Sequence, residues 1–100
     1  MEAIEAFGAV LRARRLQAEF TQEQLAFEAS IRRNYVSMLE LGQHQPTLTM
    51  LFALAAALGC SPSDLLLEVE EMLMARRTRK RKTRIKPVQR RVPGTRQTSR

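Results

Sequence analysis

Arg33, Asn34, Ser37 and Met38 share one side of a short helical stretch whose other side carries Val36 and Leu39. Their types fit the edges of DNA bases. An arginine fork matches O6 and N7 of guanine, and a carboxamide matches N6 and N7 of adenine, each good bidentate pair being worth ~1–3 kcal/mol against the wrong base. Ser37 and Met38, further along the same side, suit a phosphate or base edge and a thymine methyl group. The chemistry implied is recognition by hydrogen bonds, and these are the candidate base readers. The competing reading of Arg33 and Asn34 is an ordinary solvated helix start, so the elements around them decide.

Those elements form a recognisable layout. Residues 21 to 42 read as two amphipathic helices joined by a tight turn. Thr21 can cap the first, with Gln24 reaching back to complete a capping box, and Leu25 and Ala26 begin its buried face. The second spans residues 32 to 41 and stops at Gly42, with Ile31 joining its apolar stripe from the turn. Polar and basic residues at the start of the second helix complete the pattern of a DNA-reading helix-turn-helix.

Three further helices are expected around this pair. Residues 3 to 18 place Phe7, Val10, Leu11 and Arg14 or Arg15 at helical steps. Thr47 can cap a fourth helix, whose Leu48, Leu51, Leu54, Ala55 and Leu58 form a buried stripe before Gly59 ends it. Ser61, Pro62, Ser63 and Asp64 open a fifth, followed by Leu65, Leu66, Val69, Met72 and Leu73 at helical spacing. No strand pattern competes, so the expected fold is all-α, a compact five-helix bundle.

Charge divides the chain in two. Residues 1–75 hold 5 Lys and Arg against 10 Asp and Glu, a net of −5, whereas residues 76–100 hold 12 basic residues and no acid. The overall +7 therefore belongs to the second part. One small domain at 1–75 is expected, followed by a basic arm at 76–100 that lacks the apolar residues for a core and is expected to be disordered. The arm suits phosphates or a minor groove; a solubilising extension or an import signal is the plainer reading.

Other function classes find little support. His44 and Cys60 are each alone of their kind, which leaves no metal cluster and no disulfide framework. No glycine-rich phosphate loop is present, and Glu68, Glu70 and Glu71 read as a solvated helix face. Neither catalytic residues, metal nor cofactor are expected, and the protein is read as no enzyme. The longest largely apolar run, residues 48 to 58, is too short to span a bilayer, so a cytoplasmic protein without a membrane partner is expected, associated with the bacterial nucleoid when bound to DNA.

The fifth helix carries more apolar residues than one small bundle can bury. Leu66, Val69, Met72 and Leu73 are expected to form a homodimer interface, the alternative being a monomer that folds the whole helix onto its own core.

The segment from Phe7 to Leu66 resembles the phage-repressor helix-turn-helix family, also called the Cro-like or xenobiotic-response-element family. The resemblance rests on Arg15 ahead of the motif, TQEQLA from Thr21 and YVSMLELGQHQPTL from Tyr35. It also rests on Pro46 and the Ala-rich helix closing at Gly59. It implies a five-helix domain whose third helix lies in the major groove, dimers formed through the last helix, and half-sites ~34 Å apart. It places Gln22 near a phosphate, and Thr21 and Arg32 are grouped with it as phosphate contacts. It also implies an ion pair of Arg15 with Glu40 that fixes two helices in register. Where this family usually has glycine, the chain has Glu19 and Ser30, and Arg32 stands where Ser, Thr or Asp would cap helix three.

The leading expectation is a sequence-specific regulator of transcription, a dimeric repressor binding double-stranded DNA. The alternative is an antitoxin-like protein or a restriction-modification controller whose domain also binds a protein partner. A third reading is an RNA-binding protein led by its basic arm.

Overall fold

The computed structural model describes residues 1–81, with side chains through Ala75. Its helices are α1 (Ala3–Gln17), α2 (Gln22–Ala29), α3 (Arg33–Glu40), α4 (Leu48–Leu58) and α5 (Pro62–Arg81). Local chemistry sets where most of them begin. Thr21 Oγ1 accepts from the Gln24 N–H at 3.0 Å and Gln24 Oε1 accepts from the Thr21 N–H at 2.8 Å, which closes the capping box of α2. Ser61 and Asp64 make the same reciprocal pair at the start of α5, both bonds 3.1 Å, and Thr47 Oγ1 accepts from Met50 N–H at 3.1 Å to start α4. Arg32, by contrast, gives α3 no side-chain cap.

The turns use left-handed backbone at two glycines and at two residues that are not glycine. Gly42 and Gly59 end α3 and α4 with φ of 72° and 74°. Glu19 and Ser30 adopt φ of 61° and 59°, so the turns before and inside the motif keep the geometry that glycine favours without the residue.

α1 packs against α5 and α3, α2 against α3 and α4, and α4 against α5. Leu11, Leu25, Val36, Leu39, Leu54 and Leu65 are fully buried where these helices meet. α1 and α3 approach so closely at Gly8 that a Cβ there would lie 2.4 Å from the Leu39 carbonyl oxygen. The all-α five-helix bundle expected from the periodicity is the fold found. α5 continues to Arg81, past the end expected for the domain at residue 75, while the rest of the basic arm lies outside the described residues. Among the described residues no single helix is long and apolar enough to cross a membrane.

Candidate nucleic-acid interface

α3 is two-faced. Val36 and Leu39 are buried, Arg33 and Asn34 are exposed, and Ser37 and Met38 are half-buried. The expected readers therefore lie away from the core, with Arg33 and Asn34 the freest. Arg32, just ahead of the helix, is exposed as well.

Behind α3 a polar network ties three helices. Arg15 donates from Nε to Glu40 Oε2 at 2.6 Å and from Nη2 to Glu40 Oε1 at 3.1 Å, and its Nη1 donates to the Phe20 carbonyl at 2.9 Å. Both side chains are removed from water, with 10% of Arg15 and 3% of Glu40 exposed. Burial would ordinarily penalise such charges, but the forked geometry gives Glu40 three donors, two from Arg15 and one from Gln22, and Arg15 three acceptors. The hydrogen bond to Glu40 raises the Arg15 pKa above its ordinary value, against a smaller opposing effect of burial.

Gln22 belongs to this network. Its Nε2 donates to Glu40 Oε1 at 3.1 Å, so the side chain assigned from the resemblance to a phosphate is already partnered within the domain. Thr21 is likewise occupied by the capping box.

Several features escaped the sequence reading. Glu68, read as part of a solvated face, pairs with Arg14: Nε reaches Oε1 at 3.2 Å and Nη2 reaches Oε2 at 2.6 Å. The spacing held the signal, because Leu65, Glu68, Val69 and Met72 follow the i, i+3, i+4, i+7 pattern of one helical face. The Tyr35 and His44 rings pack at a tilt of 43° with centroids 4.8 Å apart, which joins the α3–α4 loop to α3; no periodic rule links a helix residue to a loop residue in this way. Phe27 is 81% exposed on α2 and, with Phe20, Glu23 and Glu28, lines a shallow groove.

The apolar residues of α5 divide between two faces. Val69 is buried in the protomer's own core, and Met72 and Leu73 are half-buried against it, so of the expected interface residues only Leu66 is exposed. The free apolar side chains here are Leu66, Leu67 and Met74, and α4 adds Leu48 and Phe52. The helix turns its 65–69–72 face inward to meet α1, which leaves a neighbouring stripe outside. Cys60 lies half-buried at the edge of the core, where burial pushes its thiol pKa up.

A capped α2 braced by buried polar contacts against an α3 that shows its basic start to solvent is the architecture of a DNA-binding helix-turn-helix domain. The chain belongs to the helix-turn-helix family, whose model matches residues 11–65. Control protein C.BamHI of Bacillus amyloliquefaciens is 39% identical over 61 residues, 60% of this chain and 75% of that protein. The restriction-modification controller protein C.AhdI from Aeromonas hydrophila superposes with a TM-score of 0.61 at 37% identity, over 62% of this chain and 94% of that one. The clp gene regulator ClgR from Corynebacterium glutamicum gives 0.76 at 28% identity, over 81% and 86% of the two chains. The protein is thus a DNA-binding transcriptional regulator, and the resemblance to phage-repressor domains is upheld.

Proposed function

We propose that the protein is a sequence-specific regulator of the restriction-modification controller kind, acting in bacterial cytoplasm as a homodimer with α3 of each protomer in the major groove. The observation that carries this reading is the division of α3: Arg33 and Asn34 stand free in solvent while Val36, Leu39 and Glu40 anchor the helix. Arg33 and Asn34 read base edges, with Ser37 and Met38 beside them; Gln22, Thr21 and Arg32 approach phosphates. The 12 basic residues of 76–100 add salt-dependent attraction that residues 1–75, of net −5, lack. The likeness to two controller proteins supports the kind of regulator.

Selection of bound duplexes from a random pool supplies the operator, and a panel of its single-base variants tests the readers. Arg33→Ala should relax preference at one position, whereas Gln22→Ala should weaken binding evenly on all. Equal losses across the panel for both variants would remove Arg33 from the reading set.

A protein partner is a second activity that one observation favours. Phe27, at 81% exposure, is a large aromatic side chain left in water beside Phe20, away from the base-reading residues of α3. Phe27→Ser should leave operator affinity unchanged and abolish any partner-dependent effect on transcription.

A further inference from the structure

We infer that Glu40 is a positioning residue for DNA binding: besides closing the ion pair with Arg15, it holds the Gln22 amide in the orientation from which that amide meets a backbone phosphate. The inference rests on the DNA-binding mode proposed above and adds to it a residue that never touches DNA. A carboxylate accepts and does not donate, so the NH2 group of Gln22 must be the part turned toward Glu40, as the 3.1 Å contact from Nε2 to Oε1 places it. One Nε2 hydrogen is thereby used and the other is left for an outside acceptor. A phosphate oxygen is an acceptor; the amide carbonyl, had it faced outward alone, would have offered it nothing.

Glu40 suits this task because its own carboxylate is held in place. Its side chain is 3% exposed and receives two hydrogen bonds from Arg15, whose third bond, to the Phe20 carbonyl, fixes the turn directly ahead of α2. Gln22 is half-buried at the start of α2, so the network runs from the inside of the domain to its surface and ends on the amide. A free glutamine at that position would lose side-chain rotamer freedom on binding; here most of that loss has already occurred on folding. The ion pair that registers α1 against α3 therefore also prepares a contact made from α2.

A double-mutant cycle with the full chain on the selected operator duplex tests this, using Glu40→Gln, Gln22→Ala and both together. Gln22→Ala should weaken binding by about tenfold, the scale of one hydrogen bond to a charged group. Glu40→Gln should cost several-fold more with Gln22 present than with alanine there; the effect of the change in charge at residue 40 is common to both backgrounds and cancels in that difference. Additive losses would overturn the inference while leaving the DNA-binding mode intact; failure of the parent protein to bind any duplex would overturn both.

Should Glu40→Gln not fold, the parent protein decides. Nitrogen relaxation of the free full chain should give the Gln22 side-chain NH2 an order parameter near that of rigid backbone, ~0.85, with Gln43 and Gln45 below ~0.6. A Gln22 amide as mobile as those of Gln43 and Gln45 would refute the preorganisation.

Discussion

Gly8 and Leu39 face each other so closely that a Cβ on the glycine would stand 2.4 Å from the Leu39 carbonyl oxygen, and 2.7 Å from that of Glu40. The atoms it would meet are backbone, so no side chain can swing aside; α1 and α3 would have to separate. Gly8→Ala should therefore destabilise the domain, overpacking of ~1–3 kcal/mol outweighing the ~1 kcal/mol of helix propensity gained. Since α3 would shift with Glu40, operator affinity should fall too. Denaturant unfolding and duplex titration of the variant check both effects; unchanged stability would mean that the helices can part freely.

The two turns with strained residues predict the opposite sign. Glu19 and Ser30 hold φ near 60° without being glycine. Left-handed backbone costs ~1–2 kcal/mol there, and the extra freedom of a glycine in the unfolded chain takes back ~0.4–1 kcal/mol. Glu19→Gly and Ser30→Gly should each stabilise by about 0.5–1 kcal/mol, raising the thermal midpoint by a few degrees. A loss of stability in both would show that the side chains contribute more than their backbone strain costs.

The outward stripe of α5 and the inward one should respond differently to charge. Leu66→Glu with Leu67→Glu places two carboxylates at exposed positions and should give a folded monomer that binds the operator weakly. Val69→Glu buries its charge in the protomer's core and should unfold the domain. Sedimentation and circular dichroism distinguish the outcomes; a dimer that survives the double substitution would move the interface to another surface.

Asp64 supplies a pH dependence at the start of α5. Hydrogen bonds from Ser61, backbone and side chain, lower its pKa below the ordinary carboxylate value. A carboxylate with a depressed folded pKa stabilises the folded state above its unfolded pKa of about 3.9, and that contribution disappears as pH falls through the folded value. The difference in unfolding midpoint between the parent and Asp64→Asn should be constant from neutral pH to about 5 and close below about 4. A gap that persists at lower pH would mean that the cap works through shape rather than charge.

What could be read from the sequence were features with a local or periodic signature. Thr21 with Gln24 and Ser61 with Asp64 are capping signals confined to four consecutive residues, and both pairs form as written. The Arg15–Glu40 pair is separated by 25 positions and came from the resemblance, since no local rule joins those residues. The contact of Gln22 with Glu40 is likewise not legible, because the two residues lie 18 positions apart on different helices. The dimer interface expected at Leu66, Val69, Met72 and Leu73 is harder to read: an apolar helix with two candidate stripes does not reveal which one the neighbouring helix takes, and the packing of α5 on α1 makes that choice. Gly8 carried no signal, because a glycine within a helix can mark either a weak point or a close crossing.

The two faces of α3 have unequal freedom to change. Arg33 and Asn34 touch solvent, so exchanging them leaves the domain's folding almost untouched, while Val36, Leu39 and Glu40 are tied to neighbours on other helices. Mutation can thus wander through the exposed positions along a nearly level stability landscape. With Arg33 and Asn34 as the proposed readers, a new operator would be reached by single substitutions without passing through an unfolded ancestor, and duplicated copies of such a gene would be free to diverge in target while keeping one scaffold.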